Sequence, residues 1–200
     1  MARRRAKPQP PEDRRRELME AALRLMADRG FAGTSVDDIA REARVAKGTV
    51  YLYFPSKEAL LEAIFEQQSL LPELMPALER LGQAPSLEAA VRALVPAVWE
   101  ALKQRRRAIE LLLREGGVHG KEFVQRIVPA NETLAELLRD RLPAAKRERI
   151  DAFVAVRLLL VSLLGLFIQQ EIWAGSEAHP VDDETVTGSI AEIFLRGVLG

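Results

Sequence analysis

Residues 34–65 read TSVDDIAREARVAKGTVYLYFPSKEALLEAIF, and the punctuation in that stretch decides the fold. Ser35 followed by Asp38 fits a capping box of the S-x-x-D type, so a helix starts there and ends near Ala43. A second helix spans about Lys47 to Phe54, with Val50 and Phe54 one turn apart on its inward side. Pro55 stops that helix, and Ser56 caps a third on which Leu60, Leu61, Ile64 and Phe65 form an apolar stripe. A short helix, a tight turn and a second short helix is the layout of a helix-turn-helix reader of duplex DNA, here about residues 35–54.

Working outward, a helix is expected from about Glu12 to Arg29, with Leu18, Ala21, Ala22, Leu25 and Met26 on one face. Gly30 supplies a left-handed residue after its end, and Phe31 can pack back on it. Residues 1–11 are basic and proline-rich, and are expected to form a disordered arm. After Pro72 and Pro76 the helices become longer and more apolar, near 86–104, 105–115, 121–141, 146–174 and 183–198. Their breaks are expected at Pro85-Ser86, Gly116-Gly117, Pro143 and from Gly175 to Pro180. Strand signals are nearly absent, so the chain is expected to be all-α.

Formal charge is zero overall but unevenly spread. Residues 1–57 hold 13 Lys and Arg against 8 Asp and Glu, and the rest hold 16 against 21, so a basic head sits on an acidic body. There is no cysteine, which excludes disulfides, thiolate catalysis and Cys-ligated metals. The 17-residue apolar run Ala152–Ile168 is shorter than a membrane span and carries Arg157 inside it, so no membrane association is expected, and a cytoplasmic location is. Gly116-Gly117-Val118-His119-Gly120-Lys121 fails as a phosphate loop, because Glu115 and Glu122 stand where a glycine and a hydroxyl are needed; it reads as an interhelical turn. His119 and His179 have no metal-ligand spacing, and no nucleophile elbow or paired-histidine motif occurs. No enzymatic activity, catalytic residue, metal or cofactor is expected.

In such a motif the second helix enters the major groove by its N-terminal end, here Lys47-Gly48-Thr49. Lys47 offers a cation to guanine or phosphate, Gly48 lets the backbone come close, and Thr49 can hydrogen-bond an edge. Tyr51, one turn on from Lys47, can touch a thymine methyl, while Tyr53 is better placed for a phosphate. Lys57 can clamp the next phosphate, and the amides near Ser35 form an anion site.

GTSVDDIA (33–40) and KGTVYLYFPSKEAL (47–60), with the spacing between them, resemble the DNA-binding domain of the TetR/AcrR family of transcriptional regulators. The resemblance covers about Glu12 to Pro72. It implies an N-terminal three-helix helix-turn-helix domain, 12–72, and a C-terminal helical bundle, 73–200, for effector binding and dimerisation. It implies that Lys47, Gly48, Thr49 and Tyr51 face the bases, and that Ser35, Tyr53 and Lys57 face the backbone. Two positions depart from the family's turn, usually Ala-Gly-Val-Ser and here Ala43-Arg44-Val45-Ala46. The missing glycine and the missing serine cap each cost about 1 kcal/mol, and Arg44 is expected to compensate by contacting a phosphate.

The resemblance also implies a homodimer on a palindromic double-stranded DNA operator, a repressor released by a small molecule. Residues 146–174 are apolar nearly all round between Phe153 and Ile168, with Ser162 and Gly165 allowing close approach. With 183–198 they form half of a four-helix dimer interface or simply fill their own core. Candidate lining for an apolar or acyl-type effector is Trp99, Leu102, Leu112, Phe123, Ile127, Leu134, Phe153, Phe167 and Trp173. Arg157 either meets an acidic head group or, the preferred reading, pairs with a neighbouring glutamate. Arg105, Arg106 and Arg107 are a solvated face or attract acyl-CoA phosphates. The alternative is a DNA-binding regulator controlled by a protein partner, and an enclosed C-terminal cavity discriminates the two.

Overall fold

The structure, a computed structural model, describes residues 10–68 and 82–199, with side chains described except at 116–124 and 126. No strand occurs among the described residues. The chain divides into two compact units, the first made by the residues up to Gln68 together with Arg107–Val118, the second by the rest.

The first unit contains α1 (Pro11–Arg29), α2 (Val36–Glu42), α3 (Lys47–Tyr53) and α4 (Lys57–Gln67). Ser56 caps α4 through the Ala59 amide. Leu18, Met26, Ile39, Val50, Phe54, Leu60, Leu61 and Ile64 are buried together, so each helix contributes the apolar face its spacing requires. Gly30 ends α1 with φ 77°, and its amide donates to Met26 O at 2.8 Å. The expected arm lies outside the described residues except Pro10 and Pro11, and Pro11 opens α1. Pro72 and Pro76 also lie outside them.

The first part of α6 (Arg106–Arg141) completes this unit. Leu111 is fully buried in its core. The Phe31 amide donates to Glu115 Oε1 at 3.1 Å, and Arg114 Nη1 donates to Asp28 O at 3.2 Å. The sequence predicts a break at Gly116-Gly117, but α6 is one helix of 36 residues. Glycine inside a helix costs about 1 kcal/mol against alanine, which the long flanking runs of good helix formers outweigh. His119 and its neighbours thus lie within a helix and not in a turn.

The second unit contains α5 (Leu87–Gln104), the rest of α6, α7 (Ala144–Arg147), α8 (Ala152–Phe167), α9 (Gly175–Ala178) and α10 (Asp183–Leu199). A helix from 146 is not formed: Asp151 Oδ1 accepts from the Val154 amide at 3.0 Å and starts α8 afresh at Ala152. After Phe167 the chain winds on as a π-helical turn, Ile168–Ile172. Val95, Trp99, Leu138, Leu159, Leu163, Phe167 and Leu195 fill this unit's core, with the Trp99 and Phe167 rings edge to face at 5.8 Å.

A polar clasp ties α10 to α5. Trp99 Nε1 donates to Asp183 Oδ1 at 2.8 Å, and Lys103 Nζ donates to Asp183 Oδ2 at 2.6 Å. The Lys103 ammonium, then the Trp99 N–H, hold the Asp183 carboxyl below the usual carboxylate value. Farther along, Arg92 joins Glu88 of its own helix to Glu192 of α10.

Because the folded Asp183 carboxyl titrates below its unfolded value of 3.8, the clasp is complete at neutral pH and is lost as pH falls through the folded value. Asp183→Ala leaves a buried indole N–H unpaired, a cost of about 1–3 kcal/mol. Calorimetry at pH 7 should show Tm lowered by about 2–4 °C per kcal/mol lost. A gap between the proteins that does not shrink as pH is lowered below 3.8 would contradict this account.

Candidate nucleic-acid interface and effector pocket

α2, α3 and the start of α4 hold the candidate interface residues. Ser35 closes a full capping box: its Oγ accepts from the Asp38 amide at 3.1 Å, and its own amide donates to Asp38 Oδ2 at 3.2 Å. The Ser35 hydroxyl and then the Ser35 amide keep the Asp38 carboxyl below its ordinary value. Ser35 therefore spends its hydroxyl and amide on its own helix.

The turn between α2 and α3 is a Schellman closure. Arg44 takes φ 56°, its amide donates to Arg41 O at 3.1 Å, and the Val45 amide reaches Ala40 O at 2.9 Å. A non-glycine residue thus stands in the left-handed region, at a cost of about 1–2 kcal/mol. Arg44 is exposed, at the rim of a charged surface cleft shared with Arg14, Glu17, Glu20, Arg24 and Glu42. Ala46 precedes α3 and gives it no side-chain cap.

On α3, Val50 is buried and Phe54 follows it into the core, where the Arg15 guanidinium lies 5.1 Å over its ring. Lys47, Gly48 and Tyr51 are exposed, and Thr49 and Tyr53 are half-buried, Tyr53 against the core cluster. A Cβ on Gly48 would meet nothing within 4 Å, so the backbone there is bare. Lys47 Nζ pairs with Asp37 Oδ2 at 2.7 Å, and that hydrogen bond, with its charge, pushes the ammonium's pKa up. The pair is solvent-exposed, so exchanging Asp37 for a phosphate costs little.

Lys57 is placed differently from a free clamp. Its ammonium donates to Phe31 O at 2.8 Å and Thr34 O at 2.9 Å, and lies 4.1 Å over the Phe31 ring. Two of its three N–H donors thus hold the α1–α2 turn, which puts its role in shaping the interface first. Sequence reasoning passed over Leu52, which is 83% exposed on α3 although leucine is expected inside. The signal was its spacing, off the inward Val50–Phe54 line.

In the second unit Trp99, Leu102 and Phe167 are core residues. Ile127 and Phe153 are half-buried, Trp173 is 72% exposed, and the Phe123 side chain lies outside the described residues. Arg157 is exposed, its guanidinium 5.8 Å over the Phe153 ring, so it is not the buried charge its apolar surroundings suggested. Among the described residues a crevice of about 40 Å³ lies elsewhere, lined by Val91, Leu94, Leu134, Leu138, Val156 and Phe194 with Arg141 at its edge. Of the expected lining residues it includes Leu134.

Residues 18–64 match the family described as bacterial regulatory proteins, tetR family. Those residues carry that family's DNA-binding domain. It is 30% identical over 116 residues to the helix-turn-helix-type transcriptional regulator YuxN of Bacillus subtilis, spanning 57% of this chain and 39% of that protein. It is 28% identical over 204 residues to the transcriptional regulator EthR of Mycolicibacterium smegmatis, covering 94% of this chain and 88% of that one. Its fold is that of the transcriptional regulator FadR from Bacillus subtilis in complex with stearoyl-CoA, with a TM-score of 0.72 at 19% identity over 92% of this chain and 98% of that one. The matched domain is a DNA-binding one, and these relatives are transcriptional regulators.

The uncapped start of α3 makes a direct test of the turn. Ala46→Ser restores an acceptor for the α3 amides, and thermal denaturation should show a gain of about 1 kcal/mol. An unchanged or lowered Tm would mean that the hydroxyl cannot reach those amides.

Proposed function

We propose that the chain is a cytoplasmic repressor that binds a palindromic operator as a homodimer and is released by a small apolar, acyl-type effector. The carrying observation is the division of α3: Val50 faces the core while Lys47, Gly48 and Tyr51 share the open side. Lys47, Gly48, Thr49 and Tyr51 then meet bases, with Arg44 and Tyr53 toward the phosphates, while Ser35 caps α2 and Lys57 braces the turn before it and has one N–H left for a phosphate. Residues 12–72, completed by 107–118, form the DNA-binding domain behind a basic arm, and the rest of 73–200 the effector and dimer domain.

Two-fold symmetry suits such readers, and the outward face of α8 and α10 supports it. Leu158 and Val161 are each 62% exposed and Ile193 is 73% exposed. Cβ atoms built on Gly165, Gly188 and Gly197 would meet nothing within 4 Å. Ala152–Ile172 is apolar and long enough to cross a membrane, but its inward side fills this unit's core. A second copy covers the other side.

Release requires an effector that distinguishes two conformations, about 5.5 kcal/mol of differential binding for a shift from 1:99 to 99:1. The stearoyl-CoA in the FadR relative supports an acyl-type ligand. The crevice of about 40 Å³ holds little more than a water, so an acyl chain has to part these helices to enter. The second reading is control by a protein partner without an effector. Native mass spectrometry separates them: a co-purified small molecule supports release by ligand, and its absence with a captured protein supports the partner.

Gel shift on DNA upstream of the chain's own gene should show a saturable specific complex. Lys47→Ala should weaken it by about tenfold at unchanged thermal stability, in keeping with about 1–3 kcal/mol per base contact. No sequence preference above background would sink the repressor reading. Leu158→Asp should give a folded monomer by light scattering with reduced operator affinity. A dimer that survives this change would move the interface away from α8.

A further inference from the structure

Leu52 is the most exposed large apolar side chain among the described residues, at 83%. Single exposed leucines are common and need no cause in themselves. Two features set this one apart. It lies on the seven-residue α3, beside Tyr51 and one turn from the bare backbone of Gly48. Lys47 on the same helix, and Arg41 and Arg44 on α2 and the turn that leads to α3, are exposed cations, the first two paired with Asp37 and Asp38.

An apolar knob on a helix that also presents the exposed Lys47 does not suit water. It suits the floor of a major groove between phosphate rails, where thymine presents the one methyl group. We propose that Leu52 is a specificity-determining residue that packs against a thymine C5-methyl in each half-site. This rests on the DNA-binding function proposed above and adds a base preference to it. Lys47 and the Tyr51 hydroxyl offer polar groups for base edges and the Tyr51 ring can meet a methyl of its own, whereas Leu52 selects solely by excluding water from one methyl, so the Leu52→Ala variant tells the two contacts apart. Exchange of thymine for cytosine at that position removes the methyl and places an amino group against the leucine.

The test uses the full chain. Preferred duplexes are selected from a random library, and each thymine of the best one is then replaced singly by deoxyuridine, which lacks only the methyl. Burial of one such group is worth about 0.8 kcal/mol, so affinity should fall about fourfold at one position per half-site, and about fifteenfold with both replaced. Leu52→Ala should bind the thymine duplex more weakly and respond equally to thymine and uracil there, while Leu52→Met should keep the discrimination. Wild-type affinity that is indifferent to uracil at every position overturns the proposal, as does an Ala variant that keeps the same fall. Failure to enrich any sequence removes the DNA-binding function as well, and is distinct from enrichment without uracil sensitivity. If Leu52→Ala instead changes self-association of the DNA-free protein, the leucine serves a protein contact and the proposal fails.

Discussion

Helices of seven residues do not hold themselves together in water, because nucleation costs more than so few hydrogen bonds return. α2 and α3 are each seven residues long, so their existence depends on the burial of one side. Ile39 from α2, with Val50 and Phe54 from α3, is driven against Leu18, Met26, Leu60 and Ile64. That burial dictates which residues remain outside. Since the inward line runs Val50–Phe54, the open side of α3 must be Lys47, Gly48, Tyr51 and Leu52. The surface proposed to meet DNA is thus a by-product of core packing.

The turn geometry follows from the same constraint. Both short helices can reach the core only if the chain reverses within a few residues, and Arg44 accepts the left-handed backbone this needs. Lys57 braces the next turn back, with its ammonium on two carbonyls and over an aromatic ring. In the second unit the packing is one-sided in another sense. α8 is apolar on nearly every face, yet one unit can cover only its inward side, with Ala155, Leu159, Leu163 and Phe167.

The first unit was legible in the sequence because its boundaries are written in local chemistry. Ser35 with Asp38, Gly30, Pro55 and Ser56 each act within four residues of the helix end they define. The helix from 86 to 104 and the last helix were legible for the same reason, with Ser86 capping the former and Asp182 accepting from the Thr185 amide at the start of the latter. Gly116-Gly117 misled because a break signal is a free-energy cost that flanking helix can absorb. Lys57 was read as a free cation because its partners, Phe31 and Thr34, lie more than twenty residues away in sequence. Pocket residues were the least legible. Trp99 and Phe167 are as apolar as any lining, and only the tertiary contact between their rings shows that they fill a core.

Leu111, Arg114 and Glu115 belong to the first unit although more than forty residues separate them from Gln68. A fragment cut after Gln68 would leave the Phe31 amide without its carboxylate and a leucine-sized gap in the core. The reading head is therefore not an interchangeable cassette. A chimera that swaps it between regulators must carry a matching dozen residues from the middle of the donor chain, so recombination at the apparent boundary is penalised by stability even when both parents are sound.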